Sequence, residues 1–260
     1  MYPYINIFDR QIGTYGLCMV LGFFLVGFLS LRRGKPRGFC VEDLMIVAAT
    51  VFGCAVLVGG LMYVFVTYSF DQIMAFIRQG NFSFLTSGIV FYGGLIGGIL
   101  GALLGVRIAK TDMRLVEHSI VPFIPLGHAI GRIGCVMAGC CYGFEYDGPF
   151  ALHYPHAITN ASPDKGYFPV QPLESLINVA ICFALLGVAK KVKYKFGLLA
   201  WYLTFYAISR FGLEMLRGDA IRGVWNGFST SQYISMALLA LCGLRLLIVR
   251  LYERKLPSAN

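Results

Sequence analysis

The sequence predicts an all-α fold, a polytopic membrane protein with about seven transmembrane helices, and three observations carry that expectation. The residues are 57% hydrophobic and only 13% charged, with a mean hydropathy of +0.69, whereas a soluble domain carries about 25% charge. Apolar runs long enough to cross a bilayer as helices recur along the chain, where barrel strands would alternate over about ten residues. The positive charges fall in short segments between those runs. The net charge of +9 therefore reads as membrane orientation and affinity for anionic lipid, and nucleic acid is not expected as a partner.

Taken in order, a short outer arm over 1–14 leads to the first span, 15–31, which is closed by Arg32, Arg33, Lys35 and Arg37. The arm has Asp9 and Arg10 but no basic leader or small-residue cleavage site, so the first run is expected to stay in the membrane. Span two, 44–68, is entered by Glu42 and Asp43 and is rich in small residues such as Ala48, Ala49, Gly53, Ala55, Gly59 and Gly60. Segment 70–80 is too short to cross, and its Ile73, Met74, Phe76 and Ile77 suggest an amphipathic piece at the interface. Span three, 90–109, is glycine-rich and suited to close helix packing. Span four, 115–138, contains Pro122 and Pro125 as kinks. An outer loop over 139–172 carries His153, Pro155, His156, Pro163 and Pro169, and spans follow at 173–189, 196–216 and 231–251. The whole of 1–260 is expected as a single integral membrane domain.

Basic residues cluster after spans one, three, five and seven: Arg32 to Arg37; Arg107, Lys110 and Arg114; Lys190 to Lys195; and Arg245 to Lys255. With an odd number of spans, that bias sets the N-terminus outside and the C-terminus in the cytoplasm.

The stretch from Pro125 to Gly143 is the expected reaction centre. Gly127, Gly131 and Gly134 leave a side-chain-free strip on one face of span four. His128, Arg132 and Cys135, at i, i+4 and i+7, share another. A cation at that depth costs about 2.5–3.5 kcal/mol and needs a partner or an anionic ligand. Tyr206, Arg210, Glu214 and Arg217 line one face at the outer end of span six. An Arg210–Glu214 pair serving structure alone is the plainer reading; a substrate site is favoured. Cys18, Cys54, Cys182 and Cys242 read as packing residues. For Cys135, Cys140 and Cys141 the C-x4-C-C spacing is not a common zinc pattern, so no metal is expected, and a structural disulfide on the oxidising side stays open. The absence of C-x-x-C pairs argues against a disulfide relay. A transporter is the main rival class, although no inverted repeat is visible.

Ordered motifs along most of the chain resemble the prolipoprotein diacylglyceryl transferase family. They are Ile12-Gly-Thr-Tyr-Gly16, Phe91-Tyr-Gly-Gly-Leu-Ile-Gly97, Gly131-Arg-Ile-Gly-Cys-Val-Met-Ala-Gly-Cys-Cys-Tyr-Gly143, Pro169-Val-Gln-Pro-Leu-Glu174 and Ser209-Arg-Phe-Gly-Leu-Glu-Met-Leu-Arg-Gly-Asp219. The resemblance implies a multi-pass enzyme of the bacterial (inner) cell membrane, acting without a cofactor. It would move diacylglyceryl from phosphatidylglycerol to the lipobox cysteine of a prolipoprotein signal peptide, forming a thioether. Such a reaction needs an activated thiol and fixed cations for the leaving phosphate, for which guanidinium groups suit best. Arg132 and Arg210 then form the phosphate-handling pair, Glu214 orients one of them, and Tyr92 stands at the family's usual His. Tyr15 and Tyr206 line the substrate site with His128, Cys135, Cys140, Gly143, Gln171, Glu174 and Arg217. The sequence departs from the family at three of these positions: Tyr92 for His, Cys135 for Asn and Cys140 for Glu. Glu174 and His128 are the remaining acid–base groups. A paralogue with a different lipid donor or acceptor is the alternative.

Overall fold

The computed structural model describes residues 2–7, 10–83, 88, 90–159, 161–191, 197–218 and 224–255. The arm expected at the start contains a short antiparallel hairpin, β1 (Tyr4–Ile7) and β2 (Arg10–Gly13). Helices then follow in the order expected from the apolar runs. They are α1 (Thr14–Gly34), α2 (Val41–Thr67), the short α3 (Phe70–Arg78), α4 (Phe91–Ala109), α5 (Met113–Ile120), α6 (Ile124–Ala138), α7 (Val170–Lys191) and α8 (Leu198–Glu214). A two-residue hairpin, β3 (Val224–Trp225) and β4 (Phe228–Ser229), precedes α9 (Thr230–Lys255).

Among the described residues, five helical stretches are long and apolar enough to cross a membrane: Thr14–Arg37, Val41–Thr67, Met113–Ala138, Val170–Lys190 and Thr230–Leu251. The apolar part of α4, Gly93–Ala109, and the 17 residues of α8 fall short of that length. Large apolar side chains such as Phe24, Phe28, Phe52, Phe65, Leu241 and Ile248 stand exposed along α1, α2 and α9. That is the surface lipid covers, and it accounts for a hydropathy no soluble domain has.

The chain forms two compact units, Leu31–Val116 and Met1–Ser30 with Glu117–Asn260. The first is built on an antiparallel seam between α2 and α4. A Cβ added at Gly93 would sit 2.8 Å from the Gly59 Cα, at Gly101 2.7 Å from the Val51 Cα, and at Gly105 2.9 Å from the Val47 Cα. Glycine at every fourth position therefore lets backbone meet backbone, and dispersion between the helices replaces side-chain interdigitation. After α2, Ser69 caps α3 through a reciprocal pair with Gln72. Ile73, Met74 and Phe76 of α3 are half-buried while Ile77 is exposed, so one face of the expected interfacial segment is covered.

In the other unit the expected kink in span four is a change of helix type. Val121–Phe123 form a 3-10 turn around Pro122, and α6 restarts with Pro125 in its first turn, where its missing N–H is not needed. The glycine strip of α6 seats α1. A Cβ at Gly127 would lie 2.9 Å from Val26, at Gly131 3.3 Å from the Met19 sulfur, and at Gly134 3.0 Å from the Cys18 Cβ. Helix α7 begins at Val170, three residues before the expected span, because Pro172 is tolerated in a first turn. Helix α8 stops at Glu214, so Arg217 lies beyond it instead of on its outer face. At the other end of this unit Glu117 accepts a hydrogen bond from the Leu199 N–H at 2.6 Å. The outer loop is a compact layer. Tyr142, Tyr154 and Tyr167 pack together, Glu145 and Leu152 bridge Tyr167, and Gly143 bridges Arg217.

Candidate active site

The centre of the second unit is a buried charge network on three helices. On α6, the face shared by His128 and Arg132 turns toward α7, where Ser175 Oγ donates to the Ala129 carbonyl at 3.0 Å and fixes the register. That register delivers Glu174, 2% exposed, between the two. Arg132 Nη2 lies 2.9 Å from Glu174 Oε1, and His128 Nε2 is 3.6 Å from the same oxygen. From α8, Arg210 Nη1 stands 4.0 Å from Glu174 Oε2, while its Nη2 reaches Glu214 Oε2 at 2.7 Å and Ser231 Oγ at 3.3 Å. The expected pairing of Arg210 with Glu214 is present, but it is not isolated: Glu174 bridges both guanidinium groups.

The charges sum to zero, two guanidinium groups against two carboxylates, which removes the cost of leaving a buried ion unpaired. Hydrogen bonding is less complete than charge pairing. Among the described residues, Arg132 Nε and Arg210 Nη1 are buried with no hydrogen-bond partner, and Glu174 Oε1 accepts no well-aligned bond. The cationic groups therefore keep buried donors unused, and at low dielectric such donors favour an anion. Tyr206 of α8 closes one side with its ring 5.6 Å from His128.

The remaining expected residues fall around this centre, Tyr92 excepted. Tyr15, at the start of α1, lies against Gly134, so it belongs to the outer end of α6. Gln171 is fully buried one turn before Glu174; its Nε2 donates to the Cys140 carbonyl at 2.9 Å and its Oε1 accepts from the Tyr154 hydroxyl at 3.1 Å. Burial pushes the Tyr154 phenol up to about 12, so it stays a donor. Gly143 has no room for a side chain, since a Cβ there would sit 2.5 Å from the Phe168 carbonyl. Its bridge to Arg217 ties the loop to the end of α8. Tyr92 starts α4, but its side chain lies outside the described residues, as does Asp219.

Cys135, Cys140 and Cys141 are free thiols gathered at the C-terminal end of α6, their sulfur atoms all within 4.8 Å of one another. Spacing alone argued against such a group, and the turn explains it. Gly139 (φ 69°) ends α6 in the left-handed region, and Cys141 (φ 59°) adopts the same region without being glycine. The second turn folds the chain back over Cys135 and carries a strain of about 1 kcal/mol or more. Arg132 Nη1 donates to Cys135 Sγ at 3.8 Å, which joins the thiol group to the charge network. Hydrogen bonds from Cys135 and Cys140, aided by Arg217 and Arg132, hold Cys141 well below the usual thiol range.

Sequence reasoning named Glu174 but not its place as the hub, and it missed Ser231, Ser175 and Tyr154. Only the last had a signal, an aromatic among polar loop residues. The others are ordinary serines whose role follows from helix register.

Comparison with known proteins gives a consistent result. A family model described as prolipoprotein diacylglyceryl transferase matches residues 3–249. The chain is 33% identical to phosphatidylglycerol–prolipoprotein diacylglyceryl transferase 2 of Clostridium perfringens, over 90% of each chain. It is 30% identical to the phosphatidylglycerol–prolipoprotein diacylglyceryl transferase of Clostridium tetani, over 89% of this chain and 90% of that one. The Geobacter sulfurreducens protein of the same name is 27% identical over 92% and 94%.

Proposed function

The chain belongs to the prolipoprotein diacylglyceryl transferase family, and from that membership we propose that it transfers diacylglyceryl from phosphatidylglycerol to the lipobox cysteine of a prolipoprotein signal peptide, forming a thioether. It does so in the bacterial cytoplasmic membrane, as seven spans with the N-terminus outside. The observation that carries the reading is the pair of guanidinium groups sharing one carboxylate, Arg132 at 2.9 Å and Arg210 at 4.0 Å from Glu174.

The reaction breaks the bond between a glycerol carbon and a phosphate oxygen as a thiolate attacks that carbon. Negative charge grows on the departing phosphate, so preorganised cations lower the barrier. The two oxygens of Glu174 face one guanidinium each, and this supports reading Glu174 as a stand-in for that anion. A phosphate diester that enters between Arg132 and Arg210 takes over those contacts and engages the unused Nε and Nη1 donors. Glu214 keeps Arg210 aimed during the exchange, and Tyr206 and Tyr15 line the approach. The displaced Glu174, with His128 beside it, is the nearest acid–base group. Tyr92, in place of the usual His, contributes a hydroxyl and not a ready base, given an ordinary pKa of about 10. The neutral network at rest lets the site exist without substrate in an apolar setting.

The test uses purified protein, phosphatidylglycerol and a lipobox peptide, with mass spectrometry of the peptide. A mass gain of one diacylglyceryl group on the cysteine is expected, together with rescue of a strain lacking its own transferase. An unmodified peptide from well-folded protein that also binds phosphatidylglycerol poorly would point to another donor or acceptor.

A further inference from the structure

We propose that Cys135, Cys140 and Cys141 form a zinc site whose open fourth position takes the acceptor cysteine as a thiolate; this deepens the transferase reading and rests on it. Three thiols whose sulfur atoms lie within 4.8 Å are a ligand set for a soft cation. Zinc–sulfur bonds of about 2.3 Å at tetrahedral angles place sulfur atoms about 3.8 Å apart, so a closure of about 1 Å at most completes the geometry.

Several features suit a site and not mere packing. Cys141 is held in the left-handed region, which brings its sulfur to within 4.8 Å of the other two. Gln171, fully buried, grips the Cys140 carbonyl at 2.9 Å and sets the height of the turn. Arg132 donates to Cys135 Sγ at 3.8 Å, the outer-shell hydrogen bond that a metal-bound thiolate asks for. Three thiolates on a divalent cation leave one negative charge, and the Arg132 guanidinium at Cys135 Sγ stands ready to balance it. Cys135 is buried while Cys140 and Cys141 are half-exposed, so the ion has a route in and one side stays open.

Three protein ligands with a vacant position is the pattern of catalytic zinc and not of structural zinc. The chemistry fits the proposed reaction. The acceptor thiol enters the vacant position and gives its proton to water at the exposed side, because a coordinated thiol is deprotonated outright. Its sulfur lone pair then forms the bond to the glycerol carbon while the carbon–oxygen bond to phosphate breaks, and glycerol phosphate leaves with that electron pair. Zinc keeps its charge throughout, and the thioether, a weaker ligand, is released. Arg132 touches both the thiol group and Glu174, so nucleophile and leaving group meet at one guanidinium.

The test measures zinc in the full-length protein in detergent, as purified and after zinc loading, with cobalt(II) as a spectroscopic substitute. One zinc per chain is expected, lost in Cys135→Ser, Cys140→Ser and Cys141→Ser but kept in Cys54→Ser. Addition of a lipobox peptide should shift the cobalt spectrum by adding a sulfur-to-metal band, and a peptide with Ser for its Cys should not. Transfer should fall on zinc removal and return when zinc is restored. A protein that takes up no zinc, or one that transfers at full rate without it, overturns the zinc site and leaves the transferase reading intact. Zinc bound through the three cysteines with a cobalt spectrum blind to the peptide overturns the role of the open position. A chain that passes the metal and peptide tests yet never modifies the peptide overturns the transferase reading and not the site.

Discussion

Helices α4 and α6 both carry glycine at helical spacing along one face, yet α6 buries a charge in its middle while α4 has only the exposed Arg107 in its last turn. On α4 the strip of Gly93, Gly97, Gly101 and Gly105 presses backbone to backbone against α2, while Leu95, Ile96, Ile99, Leu100 and Leu103 stand exposed. Along α6 the strip of Gly127, Gly131 and Gly134 seats α1, and the neighbouring face delivers His128 and Arg132 to Glu174 of α7. The same device therefore serves two ends. In the first unit it joins α2 to α4. In the second it frees a face, because a helix held by its backbone need not spend its long side chains on adhesion.

That contrast predicts that substitutions around α6 act on chemistry and those along α4 on stability. The largest effect is expected at Glu174, where both contributions meet. Glu174→Ala leaves two buried guanidinium groups short of a partner, a cost of about 3–5 kcal/mol, and thermal unfolding in detergent should show it as a lower midpoint with transfer lost. An unchanged midpoint would mean that water or lipid already serves those arginines. Arg132→Lys keeps the charge but removes the two-pronged grip, so transfer should fall about 100-fold while the fold persists; near-normal turnover would reduce Arg132 to a point charge. Gly105→Leu puts carbon where the Val47 Cα lies 2.9 Å from an ideal Cβ. It should cost about 1–3 kcal/mol by overpacking with no change in transfer per folded molecule, and a specific loss of activity would show that the seam is coupled to catalysis. Least is expected of Lys165→Ala. Its 2.5 Å pair with Glu145 is exposed, and neither melting nor turnover should move.

Much of this arrangement is legible in the chain because membrane helices obey a strong local rule. Apolar length places α1, α2, α4, α5–α6, α7, α8 and α9 to within a few residues, and glycine spacing identifies the face that α1 covers. The i, i+4 pairing of Arg210 with Glu214 is also visible, since both partners sit on one helix. Partners on different helices are not. Nothing local to Glu174 says that it reaches Arg132 and Arg210, because the answer depends on how α7 is rotated against α6, where Ser175 and Gln171 make hydrogen bonds that no local pattern announces. The thiol group was hidden for another reason. Its formation needs Cys141 in a conformation that residue types other than glycine rarely adopt, and helical periodicity has nothing to say beyond the last turn of α6.

The central claim is that two buried guanidinium groups grip the lipid phosphate while sulfur replaces it. The direct measurement is thioether formation on a lipobox peptide by Arg132→Ala and Arg210→Ala proteins shown to be inserted and folded. No diacylglyceryl-modified peptide from either variant is the predicted result. Transfer at the wild-type rate by both would contradict it and leave the buried network as scaffolding.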